Sequence, residues 1–256
     1  MYTIGVVSDL HCGAHTALRL TPQNTIQEKL LAKWLTVAEW LQECDLLIIN
    51  GDANDGQDPK GRNMQVDDIP WQIAEAEKLI MMIKPKKIRM TTGSSYHVGD
   101  TIAYEKFLCG YLSRRGVDTC IRPVQDIIVY DWWRGLFRHA IGRSGVPHGR
   151  NTAPTREKIW STLKSAAGAA ETGYVIPPHL HCFSHVHYYT KSEDAFGTAI
   201  TTPCWKASGG KDKYGAKFFN DHIDIGAVKI TITEDRQWTS ECKHWTAQVS
   251  QESERV

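Results

Sequence analysis

The chain predicts an α/β fold in which two packed, mixed β-sheets are flanked by helices. Its first half alternates short β-branched runs with stretches of helical periodicity, an order that gives parallel strand pairing. From Gln125 onward strand-like runs dominate, which calls for a second, more antiparallel sheet. With 256 residues and 41% hydrophobic content there is enough apolar material for a sizeable core.

Residues 3–8 form the first predicted strand. Ile26, Leu30, Trp34, Val37 and Leu41 then recur at helical spacing, so a helix is expected to run to about Cys44. Residues 46–50 are a second short apolar run, 69–83 a second helix, 88–92 a third strand and 102–115 a third helix. Later strands are expected at 126–130, 136–141, 179–184, 195–202 and 223–233. A helix over 155–170, with Ile159, Leu163 and Ala167 along one face, interrupts them. Residues 53–68 are polar and rich in Gly, Asn and Asp, a surface loop of the kind that carries function. One domain is expected over 1–247, followed by a polar tail, 248–256, that frays.

Charge excludes little. The formal net charge of +1 gives no protein-wide field to attract a polyanion, although a local basic surface stays open. The first residues carry no cationic lead or cleavage site, and no apolar run reaches membrane-spanning length, so no membrane association is expected. Seven scattered cysteines without a C-x-x-C pair point to reduced thiols and a cytoplasmic setting.

Chemistry-bearing residues gather after the predicted strands. Asp9 and His11 follow the first, Gly51 and Asp52 the second, and Gly93 through His97 the third. In α/β sheets the carboxyl ends of strands open into the ligand crevice, so these side chains are expected to converge. His139 ends a later strand, with His148 as the rival in the same region, and His185-Val186-His187 follows another. Carboxylates mixed with imidazoles suit divalent manganese, iron or zinc, and two such ions need a shared carboxylate. Asp52 is the chosen bridge. It would hold the ions about 3.5–4 Å apart, a spacing at which the attacking and leaving oxygens of a phosphoryl group are both stabilised.

In order and spacing, Ser8-Asp9-Leu10-His11, Asn50-Gly51-Asp52 and Ser184-His185-Val186-His187 resemble the D-x-H, G-D and G-H-x-H blocks of the calcineurin-like metallophosphoesterases. The resemblance implies that family's architecture and a dinuclear phosphoric ester hydrolase using a metal-bridging hydroxide. It implies one ion held by Asp9, His11 and His187, a second held by His139 and His185, and Asp52 shared by both. Manganese is favoured over iron, zinc or nickel. The third block departs from the pattern. Where the family has G-N-H, this chain has Gly93-Ser94-Ser95-Tyr96-His97, so the metal-binding asparagine is missing and the second ion is expected to be held weakly. Ser94 or Ser95 is the candidate replacement ligand. His97 matches the histidine that steers the scissile phosphate and protonates the leaving oxygen. A G-x-x-Y-H variant with a basic stretch near residues 147–156 is similar to members borne by phages and prophages, which would place the protein in a host cytoplasm.

Tyr96 is a candidate to stack on a base or sugar, and Arg138, Arg143 and Arg150, grouped around His139, are candidates to position phosphates. The expected substrate is a phosphodiester in DNA, RNA or a nucleotide. The alternatives are a phosphomonoesterase, or a metal-binding scaffold whose catalysis has decayed.

Overall fold

Aliphatic runs with two buried faces build the centre of the molecule. The computed structural model describes residues 1–57, 66, 68–94, 97, 103–139, 173–174, 184–189, 196–207 and 222–248. Strands β1 (Tyr2–Val7), β2 (Leu46–Asn50), β3 (Lys87–Thr91) and β4 (Asp118–Arg122) pair in parallel, in that order. Helices α1 (Thr25–Trp40), α2 (Ile69–Met81) and α3 (Ala103–Arg114) connect them. Two of the helix starts are set locally: the side chains of Asn24 and Asp68 accept from the backbone N–H groups of Gln27 and Trp71.

On the other side of β1, β10 (His222–Ile232) pairs antiparallel and carries the antiparallel edge strand β11 (Trp238–Gln248). A second sheet contains β5 (Val124–Val129), β6 (Trp133–Arg138) and β7 (Gly173–Tyr174), and β8 (Ser184–Tyr189) forms a hairpin with β9 (Phe196–Thr201).

Strand parity sorts the core into two layers. Val7, Leu47, Ile49, Ile88, Met90 and Ala227 face the helices, where Trp34, Leu79, Ile80 and Leu108 cover them. Ile4, Val6, Leu46, Ile48, Val228 and Ile230 face the other way, against Val129, Trp133, Phe137 and Ile200. The central sheet is therefore sandwiched, and its strands read as continuous apolar runs.

The parallel β1–β2–β3 order and its helices follow the expectation, and no helix among the described residues is long and apolar enough to cross a membrane. Two strands depart from it. β4 places one isoleucine among polar residues, and β11 spreads Trp238, Cys242 and Trp245 over two faces, so neither produces an apolar run. Both are edge strands, where polar side chains are expected. β6 begins at Trp133, earlier than the predicted 136, because Trp133 and Phe137 share its buried face. His185 and His187 lie within β8 and not after it, for Ser184–Tyr189 pairs in full with β9. The predicted helix over 155–170, most of the predicted strand 179–184 and all of the predicted tail 248–256 except Gln248, which ends β11, lie outside the described residues.

If Phe137 joins the two sheets, Phe137→Ala is expected to cost about 3–5 kcal/mol. Denaturant unfolding checks this, and a loss below about 1 kcal/mol would mean that the second sheet does not share this core.

Candidate metal centre

Beyond the last residues of β1 and β2 the two chain segments stay laced together. Asp9 N–H donates to Gly51 O (3.1 Å), His11 N–H to Asp52 O (3.0 Å), Cys12 N–H to Ala53 O (3.0 Å) and Asp55 N–H back to Cys12 O (3.0 Å). The Asp9 carbonyl accepts from Trp205 N–H (3.0 Å), and Trp205 is itself buried edge-on against Trp34. This lacing bends the backbone sharply. Asp9, His11 and Asp52 have φ of 51°, 46° and 48°, a left-handed region that Asp and His tolerate better than most side chains. Gly51, at φ 76°, has no such choice: a Cβ there would stand 2.3 Å from Nδ1 of His139.

The result is a buried cluster of acids and imidazoles. Ligand atoms of Asp9, Asp52 and His139 lie within 4.8 Å of one another, as do those of His11, Asp52 and His97. Asp52 belongs to both groups. Its Oδ2 is 3.1 Å from His139 Nε2, while Ser94 N–H donates to Oδ1 at 2.8 Å. The Ser8 hydroxyl lies between Asp9 Oδ2 (2.6 Å) and the Asn50 carbonyl (2.7 Å). His139 is oriented by its Nδ1, 2.8 Å from the same Asn50 carbonyl. Asp55 turns the other two rings: its Oδ1 is 3.0 Å from His11 Nδ1, and its carbonyl oxygen is 2.6 Å from His97 Nδ1. Lys206 Nζ reaches the same Asp55 Oδ1 at 3.0 Å.

Electrostatics follows from this packing. Burial opposes ionisation of Asp52, yet His139 beside it wins and holds the carboxyl well below its usual range. His139 shows the converse. Burial works against its charge, but Asp52 and Asp9 outweigh that and push it up to about 10. Asp55 is also held low, against burial, by His11 and Lys206. His97 is pushed down to about 4 by burial and by the neighbouring His11, so it is neutral at pH 7. Glu105, under the β3 loop, is raised to about 7 by burial.

Of the residues expected at the site, Asp9, His11, Asp52, His97 and His139 converge. Ser94 joins them, with its amide and hydroxyl both on the Asp52 carboxylate. Arg138 shares its face of β6 with Arg134 and Leu136, opposite Phe137. His185 and His187 are placed by backbone only, and Ser95, Tyr96, Arg143 and Arg150 lie outside the described residues, as does His148. Three residues of the site escape the sequence reading. Asp55 stands three positions after Asp52 in the same loop. Lys206 carries no signal there beyond membership of a basic group. Glu105 does carry one, because it shares the buried face of α3 with Leu108 and Leu112.

No protein-family profile and no curated protein matches the chain. Among solved structures it is similar to Vps29 of Chaetomium thermophilum, with 9% identity and a TM-score of 0.43 over 100% of both chains. A hypothetical protein of Thermus thermophilus is similar at 11% identity and a TM-score of 0.48, covering 96% of this chain and 99% of that one. A protein of unknown function from Aquifex aeolicus is similar at 12% and 0.40, covering 76% and 84%. Identities this low say nothing of function.

The Glu105 shift makes a prediction for the metal-free protein. Folded Glu105 keeps its proton to about 7, whereas an unperturbed glutamate releases it near 4.5. Between those values the folded state binds the extra proton. This group's stabilisation is therefore complete below pH 4.5 and is lost as pH rises through 7. Relative to Glu105→Gln, wild type is expected to lose roughly 3 kcal/mol across that window. Denaturant titrations in a chelator check this, and parallel pH profiles would contradict it.

Proposed function

We propose that this protein is a metal-dependent phosphoric ester hydrolase of the calcineurin-like kind, acting on phosphodiesters of nucleic acid or nucleotides. The observation that supports this best is the position of Asp52, one buried carboxylate shared by two groups of potential ligands. Two of the three sequence blocks that resemble the family, residues 8–11 and 50–52, meet at that carboxylate.

The donor set fits divalent ions. Two carboxylates packed among three imidazoles in a buried site demand positive charge between them, and in the metal-free chain a proton on His139 supplies it. Asp9, His11 and His187 are proposed to hold one ion and His139 and His185 the other, with Asp52 shared; of these, Asp9, His11, Asp52 and His139 are gathered in the described cluster. Ions bound there would supply Lewis acidity and generate a nucleophile from water at neutral pH.

The chain's own residues carry the remaining work. Ser8 and Ser94 fix the rotation of the Asp9 and Asp52 carboxylates. Asp55 orients His11 and His97 through their Nδ1 atoms, so each ring turns Nε2 away from Asp55. His97 is proposed to meet the phosphoryl group with that nitrogen. Neutral at pH 7, with its proton on Nδ1 toward the Asp55 carbonyl, it gains basicity when an anionic phosphate approaches, takes up a proton from solvent on Nε2, and can then pass that proton to the leaving oxygen. An acid so placed matters most for a poor alkoxide leaving group, which is why diesters are favoured. Arg138, Arg143 and Arg150 are proposed to hold the rest of the substrate, with Tyr96 against a base or sugar.

Purified protein loaded with manganese is expected to hydrolyse bis-para-nitrophenyl phosphate in preference to para-nitrophenyl phosphate. Asp52→Asn is expected to reduce turnover to background, and His97→Ala to lower kcat by about 10²–10⁴-fold. Wild-type turnover that survives Asp52→Asn would sink the proposal. Faster turnover of the monoester would move it to the phosphomonoesterases, and tight metal binding without any hydrolysis to a scaffold.

A further inference from the structure

We propose that Glu105 is a positioning residue of this centre: from the first turn of α3, its carboxyl group fixes the β3 loop against Asp52. The inference rests on reading Asp52 as the shared metal ligand.

Glu105 is fully buried on a helix face otherwise made of Leu108 and Leu112. A leucine or methionine would satisfy that face, and burying a carboxyl group in its place costs stability unless it is well partnered. Oε2 accepts from Gly93 N–H at 2.8 Å. Oε1 has no hydrogen-bond partner among the described residues, although the Asp52 amide is close enough to favour its charged form.

Gly93 shows where that second oxygen points. A Cβ built on it would lie 2.9 Å from Glu105 Oε1, 2.6 Å from Asp52 N and 2.1 Å from Asp52 Oδ1. Glu105 and Asp52 thus both crowd the space that a Gly93 side chain would fill, and only a residue without one lets them meet there. The next amide completes the device, for Ser94 N–H donates to Asp52 Oδ1 at 2.8 Å. Two consecutive amides are held by carboxylates from two different elements. The two N–H groups belong to adjoining peptide planes that meet at the Gly93 Cα, so the Glu105 bond fixes one end of the segment whose next amide meets Asp52. In a chain that lacks the asparagine ligand, this loop meets Asp52 through Ser94, its main-chain amide included, and Glu105 holds the adjoining Gly93 amide.

Calorimetric titration of wild type, Asp52→Asn, Glu105→Met and Glu105→Gln with manganese chloride tests this, alongside thermal unfolding. Glu105→Met is expected to match or exceed wild type in thermal midpoint while its manganese affinity falls about 10–100-fold. Glu105→Gln keeps an acceptor for Gly93 and is expected to lose roughly three- to tenfold. A Glu105→Met affinity within about twofold of wild type overturns the proposal. Should that variant fail to fold, unchanged affinity in Glu105→Gln overturns it instead. If wild type binds no manganese, or Asp52→Asn binds equally well, the metal reading itself has failed. Amide hydrogen exchange at Gly93 and Ser94 then decides the role of Glu105: faster exchange in its variants supports it, and unchanged exchange overturns it.

Discussion

The parallel pairing of β1 with β2 does not stop at the sheet, and the site depends on that continuation. Four main-chain hydrogen bonds carry it from Asp9 to Asp55, past the last strand residues. Those bonds fix which residues of the two segments stand side by side, so Asp9 and His11 are brought to Asp52 and Asp55 by backbone geometry before any side chain chooses a partner. The left-handed φ values at Asp9, His11 and Asp52 belong to the same arrangement. Such backbone is costly, and it persists where the surroundings over-determine it. Here the Trp205 strap, packed on Trp34, pins Asp9 from one side while β2 pins it from the other.

A centre assembled this way is electrostatically unfinished. Asp9, Asp52 and Asp55 are all buried, and each finds its counter-charge in imidazoles or in Lys206. The arrangement is graded: Asp52 and His139 form a tight pair deep in the site, while Asp55 and Lys206 anchor the other edge. His97 lies between them, held by the Asp55 carbonyl and kept neutral by burial and by His11.

Much of this is legible in the residues, and the rest is hidden for identifiable reasons. Strand-end positions of Asp9, His11 and Asp52 can be read because apolar runs in a parallel sheet are unbroken and the residues just past their ends face the crevice, and that of His139 because it directly follows the alternating strand β6. β4 and β11 escape because edge strands need only partial burial, so their patterns are diluted with polar residues. Asp55 and Lys206 escape for another reason. Their partners lie far off in sequence, 44 residues from Asp55 to His11 and 151 from Lys206 to Asp55, and no local pattern encodes such a pairing. Ser94 reads as a candidate ligand because it stands where the asparagine would be, and its amide and hydroxyl both lie on Asp52. Glu105 is the near miss, since an acid on an apolar helical face is visible at i, i+3 and i+7.

The decisive measurement is anomalous diffraction from a crystal soaked in manganese. Two peaks about 3.5–4 Å apart, one on either side of the Asp52 carboxylate, are the expected result. Density for a single ion remote from Asp52, or for none between Asp9, Asp52 and His139, would contradict the shared-ligand role on which the proposed chemistry rests.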